Sequence, residues 1–320
     1  MEKSDYLLNV LETHKMKKIE NLLSKYKDKR EEIKNEIESE YQNKIYSPFN
    51  SGSYAKHTAI NCKFDLDIVV PFKKDSFNTL KEMFDNLYDF LIDKYGNDAI
   101  VRKQKVSIGI TFDSDEDGDE IDIDVVPGRE LTKDDYPDSR GLNLFFNERM
   151  GLFSSNSYIK TNINSQIKHI NKRENERKII RLLKIWKYTN NENLKSFLIE
   201  LITIKAFDNV NVSGNIWEQL KSVMEYIKDN IRTENFTLND PGNSNNNVAD
   251  TLDESDKEYF AERMINILNR VEDDSENLKF YFPLNKDFEE DEVENKYNVK
   301  QSSYKNSVPP TNQRFGRGIE

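Results

Sequence analysis

Aspartates on two short alternating runs are the residues of this chain best placed to do chemistry. In Phe64-Asp65-Leu66-Asp67-Ile68-Val69-Val70, the apolar Phe64, Leu66, Ile68 and Val70 share one face of a strand, and Asp65 and Asp67 share the other. Like charges about 7 Å apart on one strand face repel unless a cation offsets them. Mg²⁺ suits such a pair, because it takes one or two carboxylate oxygens, keeps several waters and fills its remaining positions with substrate phosphates. Just upstream, Gly52-Ser53 supplies what phosphates need: a glycine that lets the backbone approach an anion, a hydroxyl, and the start of a helix. A two-metal phosphoryl-transfer site commonly uses a third carboxylate. The run Ile121-Asp122-Ile123-Asp124-Val125 offers Asp122 and Asp124 on the polar face of a second strand.

The elements that must position these groups follow from periodicity. From about Ser4 to Tyr46, apolar residues such as Leu22, Tyr26, Ile33 and Ile37 recur at helical spacing, and the opposite face mixes Lys and Glu as a solvated surface does. Pro71 closes the first acidic strand, and Ser76 is expected to cap a helix reaching Tyr95. Lys105 to Phe112 alternates as a strand. The following acidic stretch, with Asp113, Asp115, Asp117 and Gly118, imitates half of a calcium-binding EF-hand loop. Its flanks are strand-like rather than helical, so it reads as the tip of a β-hairpin. From about Tyr158 the period becomes helical and stays so, with helices over 177–188, from Leu194, over 215–231 and over 255–271.

The stretch Gly52-Ser53-Tyr54-Ala55-Lys56-His57-Thr58-Ala59-Ile60, the Asp65-x-Asp67 pair and the later Asp124-Val125-Val126-Pro127 resemble the polymerase-β-type nucleotidyltransferases. Within them the match is to the cyclic GMP-AMP synthase/DncV-like branch, the CD-NTases. The resemblance extends over roughly 49–271 and implies an α+β fold: a polymerase-β-like core of mixed sheet flanked by helices, and a C-terminal helical domain. It implies Asp124, ahead of Val-Val-Pro, as the third carboxylate, with Asp122 second. Asp65, Asp67 and Asp124 would then be both catalytic and metal-binding, holding two Mg²⁺ ions, with Mn²⁺ as a substitute. Gly52 and Ser53 would bind nucleotide. In the C-terminal half, a Leu-Lys-x-Trp helix and a Ser-aromatic-x-x-Glu helix match the family at Lys184, Ser196 and Phe197. The resemblance implies that Lys184 and Ser196 contact the donor triphosphate and that Phe197, often Tyr in the family, stacks on its base.

The activity so implied joins ribonucleoside triphosphates (ATP, GTP, UTP or CTP) into a cyclic di- or trinucleotide, or a short oligonucleotide, with release of pyrophosphate. The product would be a second messenger in bacterial antiphage signalling, read by a separate effector. The polar C-terminal tail would be a point of conjugation to a partner. Two other readings of the residues are a nucleotidyltransferase that modifies a protein, RNA end or small molecule, and a non-catalytic nucleotide- or calcium-binding protein.

Composition bounds these readings. The chain of 320 residues can bury a sizeable core, and its 33% charged residues call for polar helices. Lys plus Arg number 47 against 58 Asp plus Glu, a net charge of −11, which argues against a broad nucleic-acid surface and against activation by DNA or long RNA. Cys62 is alone, and His14, His57 and His169 are too scattered to form a metal set with it. No apolar run approaches a membrane span and the first residues do not read as a signal peptide, so the cytoplasm is expected. The expected division is 1–150 for the N-terminal helix and nucleotidyltransferase core, 151–283 for the helical domain and 284–320 for a polar tail.

Overall fold

The computed structural model describes residues 1–64, 66–114, 119–147 and 158–288. In chain order its elements begin with helices α1 (Lys3–Thr13) and α2 (Glu20–Tyr41), strand β1 (Phe49–Ser51), the single-turn helix α3 (Gly52–Ala55) and strand β2 (Leu66–Phe72). Helix α4 (Leu80–Tyr95), strands β3 (Ala99–Lys103), β4 (Ile108–Phe112) and β5 (Ile121–Glu130), the short α5 (Tyr136–Ser139) and strands β6 (Leu142–Phe145) and β7 (Tyr158–Thr161) complete the sheet region. Then come α6 (Ile163–His169), α7 (Glu174–Thr189), α8 (Ser196–Asn209), α9 (Ile216–Asn230), the hairpin β8 (Asn239–Asp240) and β9 (Asn243–Asn247), α10 (Glu254–Asp273) and α11 (Leu278–Tyr281).

One seven-stranded sheet runs in the order β1-β2-β5-β4-β3, with β6 and β7 added beyond the end of β5. The β2–β5 pair is parallel and the other pairs are antiparallel, so the sheet is mixed. Alternation along each strand decides what each face carries. Ile68, Val70, Ile108, Ile110, Ile123 and Val125 meet Ile33 and Ile37 of α2 and Met83, Phe84, Leu87 and Leu91 of α4 in one buried cluster. Each such aliphatic side chain contributes about 1.5–3 kcal/mol by leaving water. The opposite face carries Asp67 and Asp124, with Val69 packing further along it against Tyr136, Leu142 and Leu144.

The second core is helical. In α8 the apolar residues run all round: Leu198, Ile199, Leu201, Ile202, Ile204 and Ala206 are buried, as a central helix requires. Around it pack α7, α9 and α10, with Trp186, Leu220, Met224, Phe260 and Met264 fully inside. Capping boxes, Asn215 with Glu218 and Asp253 with Asp256, start α9 and α10. Among the described residues no helix is long and apolar enough to cross a membrane.

Several elements differ from expectation. Thr79, not Ser76, caps α4 by accepting the Glu82 N–H at 3.0 Å, while the Ser76 hydroxyl donates to the Lys44 carbonyl. Pro71 lies inside β2, because its carbonyl, accepting the Tyr46 N–H at 2.8 Å, is the group the local pairing uses. Tyr158 to Thr161 is a strand paired with β6, so the helical period starts at Ile163. The packing also divides the chain differently from 1–150 and 151–283. Helix α1 buries Tyr6, Leu7, Val10 and Leu11 in the helical core, and the sheet continues to Thr161. Of Phe280-Tyr281-Phe282, Tyr281 and Phe282 dock into that core and Phe280 stays exposed. The acidic stretch after β4 is flanked by β4 and β5, not helices; its residues 115–118, like residues 289–320 of the tail, lie outside the described residues.

Candidate active site

The Gly-Ser turn is built against a carboxylate. Ser51 at the end of β1 is the register partner of Asp67 on β2, and the chain then turns at Gly52 with φ +72° into α3. A Cβ on Gly52 would sit 1.5 Å from Asp67 Oδ2, so both the left-handed backbone and the space require glycine. The Ser53 carbonyl accepts the Thr58 N–H at 2.9 Å, which closes the turn. Among the described residues the Ser53 hydroxyl forms no hydrogen bond, leaving it available to a ligand.

Across the sheet, Ser51, Asp67, Asp124, Gly109 and Arg102 are successive register partners on five neighbouring strands. Adjacent strands lie about 4.8 Å apart, so the Asp67 and Asp124 carboxylates stand side by side on one face. Gly109 makes room for what holds Asp124. The Gln104 side-chain amide donates to Asp124 Oδ1 at 2.9 Å and accepts from the Ser107 hydroxyl at 2.7 Å, and a Cβ on Gly109 would come within 2.5 Å of that amide nitrogen. Asp122 is engaged elsewhere: Thr111 donates to it, Arg102 stands 3.7 Å away, and its own N–H donates to the Tyr26 hydroxyl. Asp65 lies outside the described residues, and among the described residues no three His, Cys, Asp or Glu side chains gather to hold a metal. The pair that is described, hard carboxylate oxygens next to a glycine turn, fits a Mg²⁺-type cation.

Helices α7 and α8 meet this turn from the other side. Lys184 of α7 is buried and donates from Nζ to the Thr58 carbonyl at 3.1 Å, so one more hydrogen bond links it to Ser53. Ser196, the first residue of α8, is contacted by Lys187 rather than Lys184: the Lys187 Nζ and Tyr188 hydroxyl both lie 3.3 Å from its Oγ. Phe197 packs at the rim of the helical core with the Lys56 ammonium 4.6 Å from its ring centre. Lys56, one residue beyond α3, is buried and forms an ion pair with buried Glu200 of α8 at 2.9 Å. The structure thus brings Gly52, Ser53, Asp67 and Asp124 together, and ties Lys184 and Phe197 to the same turn through Thr58 and Lys56.

Sequence reasoning gives no role to four members of this arrangement, Gln104, Lys56, Glu200 and Lys187, although Glu200 closes the Ser-aromatic-x-x-Glu pattern. Glu200 had a signal, a carboxylate between Ile199 and Leu201 in an otherwise apolar helix, which demands a buried partner. Lys56 sits within the Gly52 to Ile60 stretch that carries the resemblance. Gln104 had none, being a neutral amide in a loop whose role depends on the missing Cβ of Gly109.

Residues 1–140 match the family model of the Second Messenger Oligonucleotide or Dinucleotide Synthetase domain. A CBASS oligonucleotide cyclase, CdnC, of Escherichia coli (strain KTE188) is 28% identical over 206 residues, covering 61% of this chain and 60% of that protein. A cyclic AMP-AMP-AMP synthase of Escherichia coli (strain MS 115-1) is 30% identical over 190 residues, covering 55% of each chain. The chain therefore spans less than two thirds of the length of these curated relatives. The solved structure of E. coli MS115-1 CdnC with ATP superposes with a TM-score of 0.63 at 22% identity, covering 81% of this chain and 91% of that one. Residues 1–140 are thus similar to the second messenger synthetase domain, and the fold of the chain, a polymerase-β-like core with a helical part, is that of the solved CdnC structure.

Proposed function

We propose that this chain is a metal-dependent nucleotidyltransferase that joins ribonucleoside triphosphates into a cyclic di- or trinucleotide, or a short oligonucleotide, and releases pyrophosphate. The observation that carries this reading is the register of Asp67 and Asp124 on the parallel β2–β5 pair, directly beside the Gly52 turn. Asp65, Asp67 and Asp124 are the residues to hold two Mg²⁺ ions, with Mn²⁺ as a substitute. A bound divalent cation supplies an acidified attacking hydroxyl and offsets the triphosphate charge. The chain's own groups do the rest. Gly52 lets main-chain N–H groups approach the phosphates, Ser53 and Ser196 offer hydroxyl donors, and the Lys184 charge stands behind Thr58. Phe197, fixed on one side by Lys56, offers a ring face to a nucleobase. A ribose hydroxyl of the acceptor, losing its proton, forms the new O–P bond at the donor α-phosphorus while the bond to pyrophosphate breaks.

Relatives that are an oligonucleotide cyclase and a cyclic AMP-AMP-AMP synthase support a cyclic product, with ATP the first substrate to try. On this reading the product is a cytoplasmic antiphage signal for a separate effector, and the C-terminal tail is a candidate conjugation point. The test is to incubate the protein with Mg²⁺ and the four ribonucleoside triphosphates, with no acceptor added, and to identify products by mass spectrometry. Pyrophosphate and a cyclic or short oligonucleotide are expected, and Asp67→Asn with Asp124→Asn should abolish both. Turnover that needs a protein, RNA or small-molecule acceptor would replace this reading with a modifying nucleotidyltransferase.

A further inference from the structure

Lys187 is a cation that the fold leaves with a serine for company. It lies three residues after Lys184 on the same helix, partly buried, with its Nζ 3.3 Å from Ser196 Oγ and 4.5 Å from the ring centre of Tyr188. Among the described residues it forms no ion pair with a carboxylate, in a chain where lysines such as Lys29 and Lys257 find one on their own helix. Burial and the nearby Lys63 ammonium both hold its pKa below the ordinary lysine value. Earlier in α7, Arg181 and Arg177 likewise form no ion pair among the described residues, and burial together with the Arg177 charge lowers the pKa of Arg181. Withdrawing cations from water next to other cations is unfavourable unless an anion offsets them. The Ser196 hydroxyl, shared by Lys187 and Tyr188, marks where that anion would sit.

We propose that Lys187 is a direct ligand of the triphosphate, gripping its phosphates together with Ser196. Lys184 stands with Nζ 3.1 Å from the Thr58 carbonyl and 3.4 Å from its Oγ1, and so braces the Gly-Ser turn. Lys187, one turn on, has an ammonium that can turn from a neutral hydroxyl to an anionic oxygen. That exchange gives a charge-assisted hydrogen bond, roughly twice as strong as a neutral one. The inference rests on reading the cleft as a nucleoside triphosphate site.

The test measures binding of α,β-methylene analogues of the four ribonucleoside triphosphates, and of the matching monophosphates, by titration calorimetry with Mg²⁺ present. Lys187→Gln should weaken triphosphate binding about tenfold or more while changing monophosphate binding by less than about twofold, and Lys187→Arg should recover most of the loss. A purely structural role for Lys187 would weaken both classes alike. Equal loss for both, or none for the triphosphates, overturns the assignment of Lys187 and leaves the nucleotidyltransferase reading standing. Wild-type protein that binds none of the triphosphates overturns that reading, and Lys187 falls with it. Thermal melts without nucleotide confirm that each variant is folded.

Discussion

Gly52 sets how closely the main chain approaches Asp67. Replacing it with alanine adds a methyl group where Asp67 Oδ2 now lies and imposes a left-handed φ on a residue that resists it. The backbone penalty is about 1–2 kcal/mol, which a domain of this size can bear, whereas the displaced carboxylate cannot keep its place. Gly52→Ala should therefore fold, with a slightly lower melting temperature, and lose nearly all turnover in the pyrophosphate-release assay. Gln104 presents a subtler case. Gln104→Leu removes the donor that orients Asp124 Oδ1 but leaves the carboxylate on its strand. Its kcat should fall by about tenfold, the worth of one hydrogen bond to a charged group, with little change in the melting temperature. The two residues also mark how far sequence reasoning reaches. Gly52 was legible because a glycine before a serine and an acidic strand has a physical purpose. Gln104 was not, since its contact crosses from a loop over a neighbouring strand's glycine.

At the scale of elements, the join between sheet and helices is made by the Lys56–Glu200 pair and the Lys184–Thr58 bond. Removing one member of a buried ion pair strands the other charge at a cost of about 3–5 kcal/mol, while replacing both with apolar residues is often close to neutral. Glu200→Ala should accordingly lower stability by about that amount in urea denaturation, and adding Lys56→Met should recover most of it. Activity should not recover in the double variant, because Phe197 loses the ammonium that fixes its ring. If stability and activity return together, the pair merely packs. Periodicity predicted α2, α4, α7, α9 and α10 because each buries one stripe. It passed over β3 and β7, strands of five and four residues, which their neighbours in the sheet stabilise more than their own composition does.

For the molecule as a whole, α1 is the unexpected stitch. It leaves the sheet-covering α2 behind and packs with α7 and α9, its Tyr6 hydroxyl donating to the Phe282 carbonyl at 2.9 Å and its Lys3 ammonium lying 4.9 Å from the Trp217 ring centre. Both tryptophans of the chain, Trp186 and Trp217, belong to this helical part. Deleting residues 2–13 should redden and weaken tryptophan fluorescence and lower the helical transition. An unchanged emission spectrum would mean that α1 is dispensable to that core. Sequence alone placed this helix with the sheet because it precedes α2 without a strong break, and no local pattern announces a partner more than 160 residues away.

The parallel neighbours β2 and β5 have a further consequence for how the site comes into being. Two strands running the same way cannot be joined by a tight turn, and here α4 and the β3–β4 hairpin fill the crossover. Asp67 and Asp124 become neighbours only after that intervening stretch has folded into place. A chain synthesised only as far as β4 therefore has no paired carboxylates at all, and the site can assemble only once β5 has joined the sheet beside β2.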